Sequence, residues 1–391
     1  MVDRAAPSRA SAWFLLIFVY YIAAASSFGG FFTKYHFRDG EIVSLRLALD
    51  GTQDRPFVYR QLLPMTATLV DHAIPSRLKA AMLQKLAGPT LNDNPIYRFF
   101  PSATDSVNPL YAVRYLLVYV MTFLSMFAAL FVIRAVCVEL IGDKVAATLA
   151  PLLLALIFPL ILTEGGYFYD MPELLFMALG VLMTLKRRLF LLFVVVLLGT
   201  LNKESYLLFA CTLYPIAAIR YSRRQSMILI GALVAVAAVV NAVVKHHYMS
   251  NGGEMMMYQL GEHVRWLLTP RNYIATEITY GISTTKGFHI VHLVLVAIVV
   301  KTGWRSLPSA VRMQTGIAGL ITVPLFLAFC FRDELRNLSL LLMPFALLLC
   351  TTISVVLAQA ASQRVSATIP QSREPVIRQG KRTSSELTPQ P

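Results

Sequence analysis

Charge is scarce in this chain of 391 residues, where Asp, Glu, Lys and Arg together make up 14%. Soluble domains hold roughly a quarter, so an ordinary water-soluble globular protein is excluded. Acids are scarcer still, with 21 Asp+Glu against 35 Lys+Arg and a formal net charge of +14. Cysteine is limited to Cys137, Cys211, Cys330 and Cys350, all in or beside apolar runs. That placement argues against a disulfide framework and a zinc site. The sequence has no Walker loop, GxGxxG or GxSxG, which leaves no case for nucleotide hydrolysis or serine catalysis. It has no internal repeat either, so an inverted-repeat transporter gains no support.

Apolar residues are abundant: 57% of the chain is hydrophobic, in long unbroken runs where a soluble core would show stripes of period 3.6 or 2. The fold class expected is all-α and polytopic, with about ten transmembrane segments near 11–33, 110–133, 145–162, 171–185, 189–200, 205–219, 226–244, 288–300, 314–331 and 338–358. The first run follows Arg4 and Arg9 and could pass as a signal peptide. It continues through Phe28, Phe31 and Phe32, however, and its length suits a retained helix.

Two segments are too short to span alone. Lys186-Arg187-Arg188 and Arg223-Arg224 bracket about thirty apolar residues, interrupted by Asn202-Lys203-Glu204, whereas two full spans need about forty. A pair of short helices meeting at a polar elbow is expected, and such an elbow can lie at membrane depth only where it lines a protein cavity. With a cytoplasmic N-terminus, the inner loops are almost purely basic, so the basic excess reads as topology rather than nucleic-acid binding. Residues 1–358 then form the membrane domain, with outer loops at 34–109 and 245–287. Juxtamembrane surface helices are expected within 41–49 and 77–86, and 359–391 reads as a disordered cytoplasmic tail.

This topology gathers nearly every non-basic polar cluster on the outer face. Asp39 and Glu41 follow the first span, where a carboxylate can deprotonate an acceptor hydroxyl or hold a divalent metal, or can simply be a solvated loop acid. Lys203 and Glu204 interrupt an apolar hairpin. Lys203 could bind a phosphate with Glu204 orienting or neutralising it, or the elbow could form a structural ion pair between helices. Arg332 and Arg336 suit a phosphate, although Asp333 and Glu334 in the same loop could pair with them. Glu164, Tyr167, Tyr169 and Asp170 could bind sugar hydroxyls, and the tyrosines equally suit an interfacial belt. His246, His247 and His263 lack the i, i+4 spacing of a helical metal pair, while His289 and His292 read as hydrogen-bonded interfacial residues.

Taken with Asp39-Gly40-Glu41, the helix through Leu49, Gly51, Arg55-Pro56 to Leu63-Pro64, the Asn202-Lys203-Glu204 elbow and Glu334-Leu335-Arg336 before a Pro344-containing helix, the pattern resembles the GT-C superfamily. These are integral membrane glycosyltransferases that take a sugar from a polyprenyl-phosphate carrier at the non-cytoplasmic face. The large C-terminal outer domain of many members is missing, and Asp-x-Glu stands where a more explicit acidic pair is common.

The resemblance implies inverting transfer with Asp39 or Glu41 as base. Lys203 and Arg336, with Arg60, would stabilise the departing phosphate. Glu164, Tyr167, Asp170, Glu204 and Glu334 would complete the substrate site. The implied partners are the donor lipid, a glycan, lipid or protein acceptor, and the bilayer of a bacterial inner membrane. No cofactor is certain beyond a divalent metal that Asp39 and Glu41 could hold. A transporter or flippase for a lipid-linked or anionic solute, and a noncatalytic assembly subunit, are the alternative classes.

Overall fold

A computed structural model describes residues 9–37, 43–88, 93–162, 166–254 and 257–368. The chain divides into two units, residues 1–355 and 356–391, and all site geometry below lies in the first.

The opening helix α1 (Arg9–Tyr35) leaves Trp13, Phe14, Leu15 and Phe18 exposed and buries Tyr20, Ala24, Phe28, Phe31 and Phe32. Such an apolar outward face suits lipid, not water. Its buried face meets α6 (Ala112–Ile141) through aromatic edges, Tyr20 on Phe131 at 4.9 Å and Phe28 on Tyr119 at 4.8 Å. Between α1 and α6 the chain forms α2 (Leu45–Asp50), α3 (Leu62–Ala73), α4 (Ser76–Leu86) and α5 (Pro95–Phe99). The helices expected in the first long loop are therefore present. The first starts at Leu45 rather than 41, and residues 38–42 lie outside the described residues.

Helix α7 (Lys144–Ile161) starts at Asp143, whose carboxylate accepts from the N–H groups of Val145 and Ala146 at 2.9 and 3.0 Å. This is the N-cap arrangement that satisfies donors a helix leaves open at its start. At its far end, Lys34 Nζ donates to the carbonyls of Pro159 and Leu162 at 3.2 and 2.9 Å, so a lysine from α1 covers acceptors the last turn leaves open.

Helices α8 (Asp170–Leu185) and α9 (Leu189–Asn202) form a hairpin, with α8 against both α6 and α9. Lys203 then turns to extended backbone and the chain re-enters as α10 (Tyr206–Thr212) and α11 (Tyr214–Ala217). The sharp return needs a close approach at Gly199, where a Cβ would stand 2.6 Å from the Tyr206 ring. The expected elbow between short helices is therefore present.

After α12 (Arg223–His247), opened by a Ser222/Gln225 capping box, come α13 (Leu260–Leu267) and an antiparallel hairpin, β1 (Thr276–Thr279) with β2 (Ile282–Thr285). The all-helical expectation did not include this hairpin. Its two-residue turn, Tyr280-Gly281, has φ of +58° and +77°, the left-handed pair of a tight hairpin. That conformation is unfavourable for a bulky residue. Tyr280 is secured by its hydroxyl donating to the Leu156 carbonyl at 3.0 Å and by its ring filling the space over Gly30.

Helices α14 (Ile290–Gly303), α15 (Ser309–Phe329) and α16 (Leu342–Thr368) complete the fold, with a 3-10 segment, Leu335–Leu341, ahead of α16. The stretch expected to be a tail begins as helix, and residues 369–391 lie outside the described residues.

Among the described residues, six helices are long and apolar enough to cross a membrane: α1, α6, α7, α12, α15 and the segment Leu335–Gln363 that includes most of α16. The other four expected spans form shorter helices. Both α9 and α14 have 14 residues and α8 has 16, while 205–219 is split into α10 and α11. At 1.5 Å per residue these reach about 21 to 24 Å or less, short of a hydrocarbon core of about 30 Å. Apolar composition marks ten segments, and among the described residues six helices have the length and composition to cross alone.

Candidate functional site

The elbow, the start of α8, the turn before α3 and the 3-10 segment before α16 meet at one place. Arg60 follows a 3-10 turn at Phe57–Tyr59, and its guanidinium grips Glu204 in a two-pronged contact, Nε to Oε2 at 3.2 Å and Nη2 to Oε1 at 2.8 Å. Such fork-to-carboxylate pairing is among the stronger charge-assisted contacts. Arg336 donates from both Nε, at 2.9 Å, and Nη2 to a single oxygen of Glu334, Oε1, and lies 3.8 Å from Asp170 Oδ1. Both arginines also donate to the hydroxyl of Tyr169, Arg336 at 3.3 Å.

Lys203 points elsewhere. Its Nζ donates to Glu173 Oε2 at 2.7 Å and lies 3.6 Å from Asp170 Oδ1. The other Glu173 oxygen accepts from the hydroxyls of Ser205 at 2.8 Å and Ser339 at 2.7 Å. Lys203 and Glu204 therefore take different partners, each forming an ion pair with another segment, because extended backbone at Lys203 sends successive side chains in opposite directions.

Aromatic rings separate and steady the arginines. Tyr167 and Tyr169 stack at 5.1 Å with planes 6° apart. The Arg336 guanidinium lies 4.4 Å from the Tyr167 ring, and that of Arg60 lies 4.5 Å from the Tyr169 ring. Planar guanidinium groups favour this stacking. The two tyrosines thus hold the cations rather than facing lipid as belt residues.

The cluster is buried: Arg60, Asp170, Glu173, Lys203, Glu334 and Arg336 are all below a tenth exposed, while Glu204 keeps a partly open side chain. Isolated charges so deep would be very costly, and mutual pairing is what makes them tolerable. Three cations face four carboxylates in these contacts. Asp170 Oδ1 has no hydrogen-bond partner among the described residues, and neither has Asn202 Oδ1 beside it in the elbow. Asn202 Nδ2 donates to the Tyr169 carbonyl at 2.9 Å, tying the elbow to the start of α8.

No protein-family profile, no curated protein and no solved structure matches this chain.

Of the residues singled out from sequence, Arg60, Tyr167, Asp170, Lys203, Glu204, Glu334 and Arg336 are brought together here. Asp39, Glu41 and Glu164 lie outside the described residues, as therefore does the divalent-metal expectation attached to the first two. Among the described residues no group of three His, Cys, Asp or Glu is placed to hold a metal. His289 and His292 are hydrogen-bonded as expected, His289 accepting from Val291 N–H at 3.1 Å and His292 contacting Thr285 at 2.6 Å. Glu173, Ser205 and Ser339 were missed. An acid three residues after Asp170 inside an apolar helix was the available signal for Glu173, since helical spacing puts the two on one face.

Proposed function

We propose that the chain is a membrane glycosyltransferase that moves a sugar from a polyprenyl-phosphate carrier to an acceptor hydroxyl at the outer face of a bacterial inner membrane. The observation that carries this reading is the convergence of Arg60, Lys203 and Arg336, from three distant segments, on one interior place in a lipid-adapted fold. A phosphate arriving there would take over donors now held by Glu204 and Glu334, and its charge would be stabilised as the bond to the sugar breaks.

In the proposed reaction the acceptor oxygen attacks the anomeric carbon, the bond from that carbon to the phosphate oxygen breaks with inversion, and Asp39 takes the acceptor's proton. Removal of a general base costs about a hundredfold to ten-thousandfold in rate. With purified protein and a panel of polyprenyl-phosphate sugars, transfer is expected, and Asp39→Asn should abolish turnover while retaining donor binding. A dead Glu41→Gln beside an active Asp39→Asn moves the base to Glu41. Full activity in both variants overturns the reading.

One observation favours a second reading, that of a transporter for a lipid-linked or anionic solute. Each of the three cations is already held by a carboxylate, as in the paired charges along membrane transport pathways. Solute uptake by reconstituted vesicles, with no covalent transfer, would select it.

A further inference from the structure

Arg60 and Gln61 are adjacent in the chain but serve different places. Arg60 closes the ionic cluster, whereas Gln61 lines a cavity of about 460 Å³ between α2, α3 and the end of α12. Contacts between the segments that line the cavity hold its shape. Asn251 Nδ2 donates to the carbonyls of Gly51 and Gln53 at 2.8 and 3.0 Å, and the Tyr248 ring packs against Gly51. Asp50, at the same wall, is fixed by the Tyr111 hydroxyl donating to Oδ2 at 2.8 Å.

The lining distinguishes this cavity from the ionic cluster. Neither Lys nor Arg lines it, and its one carboxylate is that of Asp50, with the imidazole of His247 also in the lining. A phosphate would meet that carboxylate with neither a lysine nor an arginine in the lining to offset it. A neutral ligand with many hydroxyls would find an acceptor in Asp50, hydroxyls in Thr68 and Tyr248, and the side-chain carbonyl oxygens of Gln61 and Asn251, whose amide nitrogens already donate to backbone carbonyls. Pro64 and Met65 offer apolar surface to the C–H face of a sugar ring. The volume falls in the usual range for small-molecule sites, roughly 300–1,000 Å³.

We infer that this cavity binds a neutral, hydroxyl-rich ligand, a sugar or the end of a glycan, and that it is the acceptor subsite. The acceptor role rests on the glycosyl-transfer reading; the binding does not. The short 60–61 segment would then place acceptor and donor phosphate on its two sides.

The test is saturation-transfer NMR on the full chain in micelles of a detergent without a sugar headgroup. The probes are the methyl glycosides of glucose, galactose, mannose and N-acetylglucosamine, with glucose 6-phosphate as the anionic comparison. At least one glycoside should bind, and glucose 6-phosphate should bind about tenfold more weakly. Asp50→Asn should weaken the glycoside about tenfold, and Thr68→Trp, which fills the cavity, should abolish binding. No binding by any glycoside, binding unchanged in both variants, or preference for the phosphate overturns the proposal. Glycoside binding in protein that transfers no sugar would refute the transfer reading and leave the cavity standing; transfer without glycoside binding would do the reverse.

Discussion

Glu139 and Glu173 each hold a lysine and further donors, yet the two sites are not equivalent. Glu139, in α6, accepts from Lys186 and Arg220, whose side chains are 50% and 40% exposed. Glu173, in α8, accepts from Lys203, Ser205 and Ser339, and both members of its ion pair are under 5% exposed. Water and salt screen the first pair, so each partner can be solvated if the other leaves. The second pair has no such fallback. An ion pair in this molecule therefore tells little by itself; its surroundings decide whether it is incidental or indispensable.

The largest effect that would sharpen this contrast is expected from Lys203→Ala, which strands Glu173 without its cation and leaves Asp170 with only Arg336, 3.8 Å away. About 3–5 kcal/mol should be lost, read as a collapse of the thermal midpoint and of monodisperse yield in detergent. A midpoint near that of the unaltered protein would break the comparison. Arg60→Ala should cost less, about 1–3 kcal/mol, because the Glu204 side chain is 29% exposed and can be hydrated. Chemical denaturation at fixed detergent composition would rank the two.

At the other end of the helices, Asp143→Ala should cost about 1 kcal/mol through the lost N-cap of α7. The Ala146 N–H, followed by the Ser354 hydroxyl, holds the Asp143 carboxyl below its ordinary value of 3.8. A depressed folded-state pKa adds stability above the unfolded value, and that contribution is lost as pH falls through the lower folded value. The stability gap between Asp143→Ala and the unaltered protein should thus be constant above about pH 4 and close at more acidic pH; a gap that widens on acidification would contradict the cap. Smallest of all, Lys186→Ala should change stability by under about 1 kcal/mol, shrinking further in high salt.

The elbow at 202–204 was legible because charges in an apolar hairpin have few tolerable explanations, and its structural reading, an ion pair to a neighbouring helix, is the contact Lys203 makes. Its actual partner was not legible. Glu173 lies thirty residues earlier in a helix whose hydropathy hides one acid, and nothing local distinguishes it from Glu204 next door. Arg60 and Glu204 are 144 residues apart, and one chain without long-range restraints does not disclose such pairing. The span count rests on a different property. Residues 288–300 and 171–185 are apolar enough for lipid, but hydropathy reports composition, while crossing requires length. The β1/β2 hairpin escaped notice because its turn places a tyrosine where asparagine or glycine is usual.

That tyrosine bears on how the molecule is made. Gly30 leaves the ribosome early, and the ring that covers it belongs to Tyr280, 250 residues later. At about 5–20 residues per second, the wall of the first helix stays uncovered for roughly 10 to 50 s of synthesis. During that interval neither the Leu156 carbonyl nor the flank of Gly30 has its eventual neighbour. A nascent chain stalled before residue 280 would therefore present a first helix with an open notch, accessible to a chaperone or to a cysteine-directed reagent at an engineered neighbouring site. One stalled far enough downstream for the β1/β2 hairpin to have left the ribosome would present that notch closed.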